Sequence, residues 1–323
     1  MAKHYLSLKP LLSWRGMSHP LNWPALFGRS AALELEIGFG NGERLLRHAL
    51  AHPEINLIGV ELSWPAVRRS LRKIALARPG NVLLVQASAE AAILRLFAPN
   101  SLAAVEALFP CPWPAQRQSK RRLFSRRFLT ILNNRLAPGA SFRMVTDHAR
   151  FFAWAASQVP GQGFAKETSV RGPGLETKYE RKWRQQGQEE FHELRLRKTR
   201  HLDLPLGEDI VLQPLRLKSF DKEAVQDRDF GGEEAHISFK ELVFDPLKNI
   251  GLLHAVVNED DFMQAFWLEF CLDNGGWLLR PALGCGLVPT RGVRRAVELA
   301  AGLAEGRLFD ELPQQGRGIG ALG

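Results

Sequence analysis

The stretch ALELEIGFGNGERLLRHALAH, residues 32–52, decides the fold. Its first half alternates apolar and charged residues and ends in three closely spaced glycines, which predicts a strand followed by a tight turn. Its second half carries leucine and alanine at helical spacing, which predicts an amphipathic helix. A strand that passes through a glycine turn into a helix opens a Rossmann-like sheet, where ligands lie at the carboxyl ends of the strands.

The same alternation continues on the C-terminal side of this unit. Strands are predicted at residues 56–63, 81–88, 102–110, 140–148 and 189–198, and helices at residues 64–77, 89–97, 125–139, 149–159 and 177–187. Up to residue 159, alternation of this kind predicts parallel βαβ units with right-handed crossovers, and therefore an α/β doubly wound sheet with helices on both faces, after which the helix at 177–187 and the strand at 189–198 follow.

The pattern changes after the basic junction RKTRHLDLPLGED, residues 197–209. We therefore expect a lead-in over residues 1–30, an α/β domain over residues 31–200 and a smaller strand-rich α+β domain over residues 201–323. In the last part, strands are predicted at residues 235–244, 251–258 and 262–283, the third containing a DNGG hairpin turn, and a helix at residues 290–306. The terminal QQGRGIGALG is expected to be disordered.

Charge is divided unevenly along the chain, whose net charge is +9. Residues 1–200 hold 31 Lys and Arg against 14 Asp and Glu, a net of +17, whereas residues 201–323 have a net of −8. A basic half suggests a polyanion partner, with nucleic acid as the leading candidate, and a solvated basic face as the alternative. The acidic half is compatible with bracing, partner binding or dimerisation, and the sequence does not choose between them.

Several classes of protein are disfavoured by composition. No apolar run approaches the roughly 20 residues of a membrane span, and the N-terminus lacks the features of a signal peptide, so we expect a cytoplasmic protein without a membrane partner. The three cysteines, Cys111, Cys271 and Cys285, are far apart and form no metal-ligand motif, so no metal is expected. The oligomeric state is expected to be monomer or homodimer.

The glycine turn and the end of the second strand predict a cofactor site. Glu36, Gly38 and Gly40 form the turn, and Glu61 follows about 20 residues later, where an acidic side chain commonly accepts the ribose hydroxyls of an adenosine. A GxGxG turn with a glutamate two residues upstream suits a cofactor without phosphates, which favours S-adenosylmethionine over a nicotinamide dinucleotide. The alternative is that Glu36 and Glu61 are exposed strand-end carboxylates.

The segment FPCPWPAQRQSKRR, residues 109–122, places a cysteine between two prolines and then runs into a basic block. Cys111 is interpreted as a neutral contact residue, the alternative being a thiolate nucleophile activated by nearby cations. Trp113 is suited either to stacking on a base or to packing the loop. Five cations lie within residues 120–127 and repel one another unless phosphate is near, which favours an RNA-facing role.

Five segments in this order resemble the bacterial tRNA (guanine-N7)-methyltransferase family: LEIGFGNGE, IGVELS, FPCPWPAQRQSKRR, TDH and TKYERKWRQQGQEEFHELRL. The resemblance covers about residues 33–198. It implies a class I methyltransferase fold, S-adenosylmethionine as cofactor, tRNA as partner and 7-methylguanosine in the variable loop of tRNA as product.

The resemblance also implies roles for individual residues. Cofactor binding falls on Glu36, Gly38, Gly40, Glu61 and Ser88. Catalysis and substrate binding fall on Cys111, Asp147, Thr177, Glu180, Trp113, Arg117, Lys120, Arg121 and Arg122, with Asp147 facing the substrate base and the tryptophan and cations facing tRNA.

Three expected ligand contacts differ in charge from the family pattern. Cys111 stands where the family carries an aspartate, Ser88 replaces another aspartate, and Ala115 replaces a lysine. From the resemblance as a whole, we predict an S-adenosylmethionine-dependent tRNA (guanine-N7)-methyltransferase. The alternatives are a catalytically impaired tRNA-binding relative and a methyltransferase that acts on another RNA guanine.

Overall fold

The computed structural model describes residues 6–113, 115, 122–204, 209–232, 235–259 and 262–307. The chain divides into two compact units, one of residues 1–13 with 19–207 and the other of residues 14–18 with 208–323. The boundary expected at residue 200 and the roles assigned to the two parts stay predictions.

The first unit is built on a seven-stranded sheet with the strand order β3-β2-β1-β4-β5-β7-β6. Strands β1 to β5 are parallel, and β7 runs antiparallel to both β5 and β6. The bounds are β1 Leu33–Ile37, β2 Asn56–Glu61, β3 Val82–Gln86, β4 Leu102–Leu108, β5 Leu136–Thr146, β6 Phe164–Arg171 and β7 Phe191–Lys198. This is a Rossmann-like sheet, as predicted.

A helix follows each of the five parallel strands, as expected, with one further helix before β1 and another between β6 and β7. Their bounds are α1 Trp23–Phe27, α2 Glu43–Ala51, α3 Trp64–Ala77, α4 Ala89–Leu96, α5 Arg126–Arg135, α6 Ala149–Ser157 and α7 Lys178–Gln185. Side chains cap several of them locally: Ser88 accepts from Ala91 N at the start of α4, and Thr177 accepts from Glu180 N at the start of α7. Helix α3 has a proline in its first turn, where the missing N–H costs no intrahelical bond.

Two predictions of secondary structure were wrong in this unit. The helix predicted over residues 125–139 ends at Arg135, because Leu136 already pairs with Leu102 as the first residue of β5. Strand β6 was not predicted at all. None of its residues is buried, so no buried alternating face marks it, and its pairing with β7 supplies the order that the sequence pattern lacks.

The lead-in carries buried tryptophans. Trp23, in α1, stacks on Phe97 at a centroid distance of 5.1 Å and donates its indole N–H to Leu96 O at 3.0 Å. Trp14, in a short 3-10 turn that belongs to the second unit, is likewise buried.

The second unit is an antiparallel sheet of six strands in the order β8-β13-β12-β11-β10-β9, packed with one helix. The bounds are β8 Leu215–Leu217, β9 Arg228–Gly231, β10 His236–Asp245, β11 Ile250–Glu259, β12 Phe262–Asp273, β13 Gly276–Pro281 and α8 Arg291–Ala304. The strand-rich α+β character was predicted, whereas the short β8 and β9 were not. The apolar face of α8 and one face of the sheet form a single core cluster.

Candidate active site

The strand order brings the predicted site residues to one edge of the first sheet. Glu61 ends β2, and Cys111 and Asp147 follow β4 and β5, which are neighbours in the sheet. Backbone pairing continues past the end of β4, where Phe109 N donates to Val145 O at 2.8 Å. Because parallel strands present their carboxyl ends at the same edge, the predicted cofactor and substrate residues lie along one rim.

The glycine turn after β1 is fixed by backbone geometry. Gly38, Gly40 and Gly42 have φ values of 70°, 57° and 71°, a region that other residues rarely adopt. A Cβ at Gly42 would lie 2.2 Å from Ser70 Oγ, so α3 packs directly on the turn there. A Cβ at Gly38 would meet nothing within 4 Å, which leaves open space on the side where a ligand would approach.

The Glu61 carboxylate is locked to the backbone around it. Its Oε2 accepts from Gly40 N at 3.0 Å, and its Oε1 accepts from Ser63 N at 2.9 Å. One bond ties the end of β2 to the glycine turn, and the other ties it to the start of α3. The carboxylate is therefore held in one orientation before any ligand binds, and each oxygen keeps a further acceptor position.

Glu36 is a buried carboxyl beneath the turn, 5% exposed. Burial, with a smaller contribution from neighbouring Glu106, raises its pKa to about 8 against the opposing charges of Arg44 and Arg47. At neutral pH the free protein therefore holds this side chain largely protonated. An arriving cationic group would favour the ionised form, because opposite charge at short range lowers a carboxyl pKa.

Ser88 already has a structural role at the end of β3. Its hydroxyl accepts from Ala91 N at 3.3 Å and caps α4. The side chain lies at the rim beside Glu61, since Gln86 and Glu61 are partners in the sheet. Its contact with a cofactor stays a prediction.

The loop after β4 presents its cysteine to solvent. Cys111 is an exposed free thiol. Trp113 has a φ of 42°, and its carbonyl accepts from Arg122 Nε at 3.2 Å, so this arginine closes the ends of the loop. The Arg122 guanidinium lies over the Trp154 ring at 5.2 Å. Arg117, Lys120 and Arg121 lie outside the described residues.

Asp147 lies at the end of β5, half-buried. Its backbone carbonyl accepts from Gln188 Nε2 at 3.1 Å, which joins this end of the strand to the segment after α7. The next residue, His148, caps α6 by accepting from Phe151 N through Nδ1 at 3.1 Å. The backbone on both sides of the aspartate is therefore held.

Thr177 and Glu180 hold the loop before α7 from within. The Thr177 hydroxyl accepts from Glu180 N at 3.0 Å. The Glu180 carboxylate, 1% exposed, accepts from Gly174 N at 2.9 Å, from Leu175 N at 3.0 Å and from Glu176 N. These side chains bond to their own loop, so the structure gives them a positioning role, and direct contact with the base stays a prediction.

Sequence reasoning missed the charged side chains that surround the rim. On the sheet face, Glu106 accepts from Arg44 at 3.2 Å and from Arg143 at 2.9 Å, and Arg143 also binds Glu193 at 2.9 Å. On α2, Arg47 donates to Glu176 in the loop before α7, and Glu43 accepts from Arg181 of α7 itself. The i, i+4 spacing of Glu43 and Arg47 puts them on one helix face, and this was the sequence feature that could have indicated a shared role. The spacing does not identify the distant residues that they contact.

Two kinds of site find no support in the described part of the chain. Its histidine, cysteine and acidic side chains form no group of three that is suited to a metal ion. None of its helices has the length and apolar character needed to cross a membrane.

Comparison with known proteins identifies the first unit. Residues 30–193, about half of the chain, match the family model described as "Putative methyltransferase". The matched span contains the glycine turn, both strand-end glutamates, the loop with Cys111 and the loop before α7.

Curated relatives agree with this match. The chain is 38% identical over 174 residues to the tRNA (guanine-N(7)-)-methyltransferase of Chlorobium phaeobacteroides, covering 54% of this chain and 85% of that protein. It is 36% identical over 179 residues to the protein of the same name from Thermotoga maritima, covering 53% of this chain and 56% of that protein.

Among solved structures, the 16S rRNA (adenine(1408)-N(1))-methyltransferase from Catenulisporales acidiphilia aligns with a TM-score of 0.43 at 16% identity, covering 57% of this chain and 94% of that chain. The family match and the curated relatives cover the residues that build the rim. The chain belongs to the bacterial tRNA (guanine-N7)-methyltransferase family.

Proposed function

We propose that this protein transfers the methyl group of S-adenosylmethionine to N7 of a guanine in the variable loop of tRNA, position 46. The observation that carries the proposal is the preformed turn in which Glu61 is bonded to Gly40, on the same rim as Asp147. Family membership supports the reaction type, and the rim supports the use of this chain's own residues for it.

The residues at the turn fit S-adenosylmethionine. The fixed carboxylate of Glu61 offers one free acceptor position on each oxygen, which suits a pair of ribose hydroxyls. Open space at Gly38 admits a ligand close to the backbone. Glu36 offers a buried carboxyl whose ionised form a cation stabilises, and the cofactor carries a sulfonium and an amino group.

The bound cofactor supplies an electrophilic methyl group on a positive sulfur. Guanine N7 has an exposed lone pair that is unprotonated at neutral pH, so the protein needs no general base to create the nucleophile. The residues of the rim must align the base, and alignment supplies roughly 7–11 kcal/mol in favourable cases. We assign this work to Asp147 and to the loop that Thr177 and Glu180 hold.

Cys111 takes the place of a carboxylate that would hold the guanine edge and balance charge growing on the ring. A neutral thiol is a weak hydrogen-bonding group, and the loss of one such contact costs about 100-fold to 1,000-fold in rate. The chain is therefore proposed as an active but slowed enzyme.

tRNA is the proposed partner, in the cytoplasm. Exposed cations occupy α3 and α7, which flank the rim, at Arg68, Arg69, Arg72, Lys178, Lys182 and Arg184. With Arg122 they provide phosphate contacts, and Arg117, Lys120 and Arg121 are assigned the same task from the sequence. Binding of this kind weakens steeply with salt. Monomer and homodimer both remain compatible with the proposal.

The exposed thiol of Cys111 favours a second candidate, a tRNA-binding relative with little catalytic power. Such a protein binds tRNA without needing the cofactor. Substitution of Glu61 by alanine therefore separates the two candidates: turnover should be lost in the enzyme, and tRNA affinity should be unchanged in either.

The decisive experiment transfers radiolabelled methyl from S-adenosylmethionine to bulk unmodified tRNA and identifies the labelled nucleoside by mass. We expect 7-methylguanosine from the wild type and none from Glu61→Ala. Tight tRNA binding without transfer would establish the second candidate instead, and a label on another nucleoside would assign a different target.

A further inference from the structure

The rim has two halves: a cofactor half, formed by the glycine turn and Glu61, and a substrate half, formed by the ends of β4, β5 and β7. The loop 172–177, between β6 and α7, connects them. The side chain of Leu175 is buried and lies in one apolar cluster with Phe109, Val145 and Phe191, which belong to the ends of β4, β5 and β7. The loop is thus seated on the substrate half of the rim by apolar packing. Its backbone reaches α2, the helix that begins directly after the glycine turn.

The internal bonds of the loop do not fix its place relative to the cofactor half. The Glu180 carboxylate bonds Gly174 N, Leu175 N and Glu176 N, all within seven residues of chain. These bonds fix the conformation of the loop itself. Only contacts with another element can fix the distance between the loop and the glycine turn.

Arg47 supplies those contacts from α2. Its Nη2 donates to Leu175 O at 2.6 Å and its Nη1 donates to Glu176 Oε2 at 2.8 Å, so one guanidinium grips both the backbone and a side chain of the loop. The planar fork of arginine makes two parallel donations that lysine cannot reproduce. Glu176 has a φ of 51°, an uncommon conformation that this grip helps to hold.

A second contact lies one helical turn away. Arg181 of α7 donates to Glu176 O at 2.7 Å and to the carboxylate of Glu43, the first residue of α2. Lys73 of α3 donates to the same carboxylate at 2.9 Å. Burial raises the pKa of Glu43, but hydrogen bonds from Arg181 and Lys73 outweigh it and hold the pKa at about 2. The carboxylate therefore stays charged at any working pH.

Arg47 also faces the cofactor half. It is one of the two arginines whose positive charge favours ionised Glu36 beneath the glycine turn. This influence is the smallest of the four on Glu36, so the hydrogen bonds to the loop are the main contacts of Arg47.

We propose that Arg47, with the Arg181–Glu43 pair, is a positioning residue that sets the guanine-holding loop at its working distance from the cofactor turn. This inference rests on the proposed function. Both ion pairs are partly solvent-exposed, with side-chain exposures of 42% and 70% for Arg47 and Glu176 and of 47% and 31% for Arg181 and Glu43, so they contribute little to folding. A misplacement of about 1 Å costs on the order of 100-fold in rate, so their contribution belongs to turnover.

The test compares Arg47→Gln, Arg47→Lys and Glu176→Gln in the full chain. Arg47→Gln should lower kcat for tRNA at least tenfold, with the Kd for S-adenosylmethionine within about twofold of wild type and Tm unchanged. Arg47→Lys should recover part of the loss because it keeps one of the two donations. Glu176→Gln should lie between Arg47→Gln and wild type.

The matched control is Arg216→Gln. Arg216 is an exposed arginine, ion-paired with Asp273 in the second unit, so its loss removes the same charge and the same kind of pair away from the rim. Its kcat, Kd and Tm should equal those of wild type.

Amide hydrogen exchange in the loop supplies a readout that needs no methyl transfer. Exchange at residues 174–177 should be at least tenfold faster in Arg47→Gln than in wild type or Arg216→Gln. Unchanged exchange, unchanged kcat, or an equal loss of cofactor affinity would each overturn the inference. If wild type transfers no methyl to tRNA, the proposed function fails, and exchange still decides whether Arg47 holds the loop. Should Arg47→Gln misfold, Glu176→Gln gives the same decision without altering α2.

Discussion

The two halves of the rim are built in different ways. The cofactor half is held by contacts between neighbouring elements of the sheet: Glu61 bonds Gly40, and α3 packs on Gly42 through Ser70. The substrate half is held by bonds that cross from helices to a loop, as from Arg47 to Glu176, and it leaves Cys111 exposed. The first half is therefore part of the core, and the second is attached to it.

This difference between the two halves indicates where substitutions away from the family's sequence pattern can be tolerated. In the cofactor half, loss of the Glu61 side chain would break its bonds to Gly40 N and Ser63 N, whereas the change to Ser88 keeps a side chain that caps α4. In the substrate half, Cys111 replaces an expected aspartate at a position that is exposed to solvent. Substitutions in the cofactor half should therefore mainly lower the free energy of unfolding, and substitutions in the substrate half should mainly lower the rate of methyl transfer.

The largest effect is expected from Gly42→Ala in the cofactor half. The new Cβ would lie 2.2 Å from Ser70 Oγ and 2.7 Å from Ser70 Cβ, at a φ of 71° that disfavours alanine. Strain and overpacking together should lower the free energy of unfolding by about 4 kcal/mol and abolish cofactor binding. Urea denaturation and calorimetric titration measure the two effects.

Gly28→Ala is the matched control for this substitution. Gly28 has a φ of 68° with nothing within 4 Å of the new Cβ, so it tests the strain without the clash. Its cost should be about 1–2 kcal/mol. Equal costs at the two glycines would mean that packing of α3 on the turn is unimportant.

The next effect is a pH dependence that belongs to Glu36. Its pKa of about 8 in the folded protein exceeds the ordinary value of 4.5, so the stability that it contributes is fully present below pH 4.5 and is lost as pH rises towards 8. Between pH 5 and pH 8 the loss should be about 3 kcal/mol. Denaturation of wild type and Glu36→Gln across this range measures it.

Glu36→Gln should remove this pH dependence, because glutamine resembles the protonated acid and does not titrate. It should also weaken binding of S-adenosylmethionine, most clearly at pH 8. Identical pH profiles for the two proteins would contradict the assignment of the buried proton to Glu36.

In the substrate half, Glu180→Gln should have a smaller effect on stability. The carboxylate accepts three backbone N–H groups and is 1% exposed, so losing its charge should cost about 2 kcal/mol. Turnover should fall while cofactor affinity stays near wild type, as shown by single-turnover kinetics and titration. The exposed Glu190→Gln is the control, and a shared loss of cofactor affinity would remove the distinction between the halves.

The smallest structural effect is expected at Cys111. Cys111→Asp should leave Tm unchanged and raise methyl transfer about 100-fold, because a carboxylate restores charge opposite the developing positive ring. Cys111→Ser should change the rate less than about twofold. A serine variant without activity would show that the thiol itself takes part in the reaction.

Much of the fold follows from sequence patterns that act over short distances. The alternation from residue 32 to residue 159 predicts the parallel strands, because apolar periodicity and glycine turns are local properties of the chain. β6 was missed because its exposed residues carry no such pattern, and α5 was predicted too long because strand pairing, not helix propensity, decides the structure of Leu136.

The sequence by itself determined the parallel strands and the glycine turn, since each depends on residues that are close together in the chain, and the order of its motifs indicated the family. Only the tertiary structure decided what holds the substrate half. Arg47 meets Glu176 across 129 positions, and Glu43 meets Arg181 across 138 positions. Neither residue of a pair indicates its partner in the sequence. An ion pair between distant segments depends on how those segments pack, which the spacing along one helix does not specify.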